Sequence, residues 1–219
     1  MGNLFNVEGP FITFLTKVCD LILLSTLWLL TCIPVITIGP ANTALYYATV
    51  KVIRRERGYL FREYFRSFRL NFKKAAIIGV ITGILYITLG FDVYITWASK
   101  ATSGNITSIF MGTYIAVLVF LTFFSLYVYP VLSRFDVTFK QLYKISFYLS
   151  IKHILRTLGL LAIWVLAAIA VVFNYMFIFI VPAGACLVSS LLMEPVLKKY
   201  TPKSENTDDE SAKDEWYLE

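Results

Sequence analysis

Six apolar stretches, divided by short polar or basic segments, leave this chain few folds outside a lipid bilayer. Phe11 to Ile33 alone, taken as helix at roughly 1.5 Å per residue, reaches about 35 Å. That is enough to cross a hydrocarbon core of about 30 Å. Ala75 to Trp97 and Ile106 to Leu132 read as two further spans. Thr157 to Phe173 and Met176 to Met193 read as a closing pair that turns at Asn174 and Tyr175, with Pro182 and Gly184 placed to kink the last helix. Lipid offers no partner to irregular backbone, so the spans must be helical. With 58% hydrophobic and only 16% charged residues, no sizeable soluble domain is expected. The predicted fold is all-α: a polytopic transmembrane bundle of five to six spans over residues 1–200, then an acidic, disordered tail over 201–219.

The span count turns on Pro34 to Tyr47. The apolar run after it, Ala41 to Ile53, stops at Arg54 and Arg55. As helix it covers only roughly 20 Å, too short for a full crossing. Part of the preceding turn is therefore expected below the membrane surface, where protein or a water-filled cavity must satisfy its backbone. Pro40 suits a first helical turn, and Gly39 allows geometries closed to bulkier residues. A helix N-terminus at this depth offers N–H groups and partial positive charge to a solute. The same residues fit a tight hairpin with a buried turn, the commoner arrangement for a membrane turn. Gly39, Pro40 and Asn42 are the candidate buried-turn or solute-site residues.

Fourteen of the twenty Lys and Arg lie in two connectors, 51–74 and 133–156. The positive-inside rule puts both in the cytoplasm, along with the C-terminus; a re-entrant second helix would move the N-terminus outside. The charges sit between spans, so the net +6 reports orientation and not nucleic-acid binding. In the first connector Arg62, Arg66, Arg69 and Lys73 form a stripe beside Leu60, Phe61, Tyr64, Phe65, Phe68 and Phe72. This predicts an amphipathic helix in the membrane surface, holding anionic inner-leaflet lipid or docking a partner. Lys140 with Lys144 and Lys152 with Arg156 predict a second surface helix, with Asp136 as its cap. Within the spans, Lys17 is placed to pair with Asp20, Asp92 sits near the far interface, and Gly79 and Gly83 have the spacing of close helix packing. Cys19, Cys32 and Cys186 read as small buried packing residues.

Chemistry is sparse. The sequence holds no phosphate-binding loop, dinucleotide fingerprint, zinc-protease motif or nucleophile elbow, and His153 is its one histidine. Neither an enzyme nor a cofactor is expected. The tail ends on Trp216, Tyr217 and Leu218, an aromatic group unusual in a solubilising tail, and Trp216 is a candidate contact.

Four motifs, Ile33 to Tyr47, Phe65 to Lys74, Tyr129 to Phe135 and Asp214 to Glu219, resemble in order the YesL-like membrane proteins of Gram-positive bacteria. That family has long been one of unknown function, and its genes commonly sit beside oligosaccharide ABC importers. The resemblance implies a non-enzymatic accessory subunit in carbohydrate uptake, packed against importer permease subunits in the cell membrane. It supplies no binding residues. The connector 133–156 lacks the permease pattern that docks the ATPase. An independent small-solute transporter with its site at Pro34–Asn42, and a membrane sensor or assembly factor, stand as alternatives.

Overall fold

The computed structural model describes residues 10–200, apart from the side chains of 10 and 100–106; the acidic tail and Trp216 lie outside the described residues. Among the described residues every regular element is helical. Five stretches are long and apolar enough to cross a membrane: Phe11–Cys32, Leu60–Ser99, Thr107–Arg134, Ile154–Phe173 and Val181–Lys199. The protein is a multi-pass membrane bundle.

Helix α1, Pro10–Cys32, turns Leu24, Ser25 and Leu27 inward and leaves Phe11, Phe14, Leu15 and Leu30 exposed, an apolar outer face suited to lipid. A short 3-10 turn, Val35–Thr37, leads into α2, Ile38–Ala48, and a π-helical turn, Thr49–Arg54. Helix α2 is the centre of the molecule, with nine of its eleven residues buried. It returns along α1, since Trp28 bonds Asn42 near the top and Lys17 pairs with Glu56 near the bottom. Residues 38–56 therefore travel back to the level of Lys17. The short helix, extended by the π-turn, thus runs antiparallel to α1.

One expectation about the turn is corrected, the role of Gly39. The start of the turn, Ile33, Val35 and Ile36, is exposed, while Gly39 and Pro40 are buried where α2 begins. The turn's backbone is satisfied locally, because the Thr37 hydroxyl lies 2.6 Å from the carbonyls of both Thr31 and Pro34. Gly39 serves packing rather than the turn. A Cβ there would stand 2.0 Å from the Ala75 carbonyl oxygen, and one at Gly79 would stand 3.0 Å from Gly39. Gly83 faces open space, so the expected pair of packing glycines reduces to Gly79 meeting Gly39.

Helix α3, Leu60–Arg134, covers 75 residues. A straight helix would set Tyr86 and Thr122 about 54 Å apart. Their two hydroxyls instead lie 3.2 Å apart, and Tyr86 also reaches Ser125 at 3.3 Å. The element is thus two antiparallel arms that reverse near residue 105. The expected loop 98–105 is helical through the reversal.

The first arm's apolar stretch, Leu60–Ser99, has 40 residues. That is about twice what a hydrocarbon core of ~30 Å needs, and its charged beginning packs along α2 and the π-turn, with Glu63 on Lys51 and Ala75 on Gly39. No separate surface helix forms there; the basic stripe extends a span. Helix α4, Phe139–Lys152, also differs from expectation. Phe124 stacks on Tyr143 and Phe120 meets Phe147, so α4 folds back along the second arm. Its cap is Thr138, whose N–H donates to Gln141, while Asp136 pairs with Lys74. Helix α5, Ile154–Phe173, and α6, Val181–Lys199, are joined by a 3-10 turn, Tyr175–Phe179, that Asn174 caps. Pro182 opens α6 instead of kinking it, and the helix runs on through Pro195 to Lys199.

Candidate functional site: an interhelical cavity and its ionic floor

A cavity of about 340 Å³ lies where α1, α2, both arms of α3, α5 and α6 meet. Asn42 projects into it from α2, with its side-chain oxygen accepting from the Trp28 indole at 2.8 Å. The Tyr129 hydroxyl is in hydrogen-bond contact with Asn42 and Thr82, and Tyr86 with Thr122 and Ser125 lines the opposite wall. Trp164 from α5 and Ser189 from α6 complete the polar lining, among Leu45, Leu126, Leu160 and Met193. Among the described residues no charged side chain lines the cavity. Such a mixture of aromatic faces, hydroxyls and one carboxamide offers apolar contact and directed hydrogen bonds to a neutral polar molecule.

The floor of the cavity is ionic. Tyr46 lines the cavity and donates its hydroxyl to Glu194 at 3.0 Å, and the other Glu194 oxygen holds Arg134 at 2.9 Å. Nearby, Lys51 of the π-turn pairs with Glu63 at 2.9 Å and donates to the Tyr47 hydroxyl at 3.1 Å. Arg54 donates to the Ser190 carbonyl, and Thr49 contacts the Cys186 thiol. Both ion pairs are buried. A π-turn widens the backbone and re-aims side chains, and here it delivers Lys51 to α3 and Arg54 to α6.

The sequence-predicted residues separate on this frame. Asn42 is on the cavity wall, while Gly39 and Pro40 are packed against other helices and do not line it. The N-terminus of α2 is closed by the Gly39–Ala75 approach. Arg62, Arg66 and Arg69 gather on a separate surface groove, and Lys73 is exposed on the same arm. Lys17 pairs with Glu56 at 2.7 Å and not with Asp20, which borders a small polar cavity beside that pair. Of the cysteines only Cys186 is buried; Cys19 is exposed and Cys32 intermediate. His153, at the α4–α5 junction, has its titration pushed below the ordinary value by burial and by the cations of Arg156, Lys152 and Lys199.

Sequence reasoning missed Tyr46, Tyr86, Tyr129 and the two wall tryptophans, and it missed the pairing of Glu63 and Glu194. The available signal was the run of Tyr, Thr and Ser within spans; nothing in their spacing joins six segments at one point.

Comparison with known proteins adds one finding. The pattern of a family described as "Protein of unknown function, DUF624" matches residues 21–93, from the middle of α1 to the first arm of α3. This region holds Trp28, Asn42, Tyr46 and Tyr86, hence part of the cavity wall, together with the Lys51–Glu63 pair. No curated protein and no solved structure matches the chain.

Proposed function

We propose that this protein binds a small, neutral, polar solute within its membrane bundle, as a carrier or a receptor and not as an enzyme. The observation that carries this reading is the uncharged cavity at Asn42. At about 340 Å³ it falls near the lower end of the roughly 300–1,000 Å³ usual for ligand sites. That favours a solute of monosaccharide size over an oligosaccharide. Solute C–H groups would rest on Trp28, Trp164 and the tyrosines, and its hydroxyls would meet Asn42, Thr122, Ser125 and Ser189.

The test is a thermal-shift and equilibrium-binding panel on the protein in nanodiscs, with neutral monosaccharides, polyols, a trisaccharide, amino acids and organic anions. Saturable binding of a small neutral solute, lost in Asn42→Leu and weakened in Trp164→Ala, is the expected result. No binding by any small neutral solute, or binding that survives both variants, would refute a site in this cavity. Flux into proteoliposomes then separates carrier from receptor.

A second reading rests on the YesL-like resemblance: an accessory subunit of an oligosaccharide importer, with its basic connectors facing the cytoplasm and anionic inner-leaflet lipid. Its support is the four motifs and the charge bias of the connectors. Co-purification with importer permease subunits in near-stoichiometric amounts would favour it. Recovery of the protein alone, beside an intact importer, would count against it.

A further inference from the structure

A groove of about 560 Å³ opens on the outer face of the first arm of α3, lined by Phe61, Arg62, Phe65, Arg66, Arg69 and Leu70. Of these side chains Phe61, Phe65 and Leu70 are exposed apolar groups, left without a partner helix. Three guanidinium groups at helical spacing, interleaved with two phenyl rings and a leucine, make a seat for an anionic segment that also carries aromatic or aliphatic side chains. None of the four ion pairs among the described residues uses these arginines. The acids near them are already engaged: Glu56 with Lys17, Glu63 with Lys51, Asp136 with Lys74, Glu194 with Arg134.

The chain's remaining acid is concentrated in residues 201–219, which hold seven of its fourteen Asp and Glu against Lys203 and Lys213 alone. They close on Trp216, Tyr217 and Leu218. The segment starts after Tyr200, which packs on Tyr148 and His153 at the end of α4. Arg54 bonds the Ser190 carbonyl and Lys51 pairs with Glu63, so the π-turn links α6 to the first turn of α3. The stretch from Tyr200 to Trp216, fully extended, reaches up to about 53 Å, ample to cross one end of a helical bundle.

We infer that the acidic C-terminal segment, residues 205–218, docks intramolecularly in the Arg62–Arg66–Arg69 groove, with its carboxylates on the guanidinium groups and Trp216 against Phe61 and Phe65. The site is independent of the Asn42 cavity. A short tether supplies an effective concentration on the order of 1 mM, so an intrinsic affinity of about 0.1 mM keeps the seat roughly nine-tenths filled and slows attack on the segment about tenfold.

The experiment uses the full chain, one copy per nanodisc of zwitterionic phosphatidylcholine, treated with chymotrypsin and read by intact mass for cleavage after Trp216 or Tyr217. Docking predicts that Arg62→Gln/Arg66→Gln/Arg69→Gln raises the cleavage rate about tenfold while the melting temperature holds. It also predicts that about 1 M salt, where the Debye length falls to about 3 Å, brings the unmodified protein to the variant's rate. Arg62→Glu/Arg66→Glu/Arg69→Glu combined with Asp208→Lys/Asp209→Lys/Glu210→Lys should restore protection. Equal cleavage of the unmodified and triple-Gln proteins overturns the proposal. So does protection seen only with phosphatidylglycerol in the disc, which would assign the groove to lipid.

Discussion

The Arg134–Glu194 and Lys17–Glu56 ion pairs are almost equally short, 2.9 and 2.7 Å, but their side chains are 1% and 8% exposed in the first and 43% and 64% in the second. Length therefore says nothing about what each is worth. Charges taken out of water cost several kcal/mol each, so the buried pair holds only because Tyr46 shares the carboxylate and each charge answers the other. The exposed pair trades solvation for contact at little net gain. The same contrast separates Lys51–Glu63, buried, from Lys74–Asp136, where the carboxylate is 95% exposed. The bundle thus carries two kinds of charge: a buried set that fixes how α2, α3 and α6 meet, and an exposed set that water can reach.

The largest effect should come from splitting the buried pair. Arg134→Met leaves Glu194 charged and unpaired beneath the cavity, at a cost of about 3–5 kcal/mol. The melting temperature in detergent should fall sharply. Arg134→Met/Glu194→Leu should recover most of that loss, since two apolar side chains leave no uncompensated charge. A double variant as unstable as the single one would mean the pair stabilises by more than mutual neutralisation.

Next in size is Gly39→Ala. The added methyl lands on the Ala75 carbonyl, a backbone atom that moves only with the whole arm. Overpacking of this kind costs about 1–3 kcal/mol, whereas Gly83→Ala, in open space, should be neutral or slightly stabilising. Equal melting shifts for the two glycines would remove close α2–α3 approach as the reason for Gly39.

A smaller, pH-dependent effect is expected at His153. Its folded-state titration lies below the ordinary value, so the folded state binds this proton less readily than the unfolded one. The contribution is present above about pH 6.5 and is lost as pH falls through the depressed folded value. Melting temperature should decline between about pH 7 and pH 5 more steeply in the unmodified protein than in His153→Gln. Among the described residues the charged groups acting on the ring are the cations Arg156, Lys152 and Lys199, with Tyr200 packed against it, and they set the sign. Parallel profiles would exclude His153 as the source.

How far these features were legible in the sequence follows from their range. The five long spans announce themselves through uninterrupted apolar runs, and the reversal near residue 105 falls where Ser, Thr, Gly and Asn interrupt them. Lys17 illustrates the limit. Asp20, less than one helical turn away, is visible as a partner from sequence alone; Glu56 becomes a neighbour only once α2 has folded back along α1. Gly39 beside Pro40 reads as a turn, because its use as a contact surface depends on Ala75 and Gly79 in another helix. Asn42 was found through its place in that turn, yet its surroundings come from helices as remote in the chain as α6, which bears Met193. Local chemistry marks the residue, and tertiary packing decides what it faces.

The exposed pair sharpens the comparison from the other side. Lys17→Met removes the partner of a carboxylate that stays in solvent, so Glu56 is not stranded. The loss should be about 0–1 kcal/mol, and smaller still at about 1 M salt, where screening already weakens the pair. The useful reading is a salt series of melting temperatures on four proteins: unmodified, Lys17→Met, Glu56→Gln and the double variant. Near-zero coupling between the two positions, against several kcal/mol for Arg134 and Glu194, would show that burial and not geometry ranks the ion pairs of this bundle. Strong coupling at Lys17–Glu56 would instead mean that lipid or the polar cavity around Asp20 shields that pair from water.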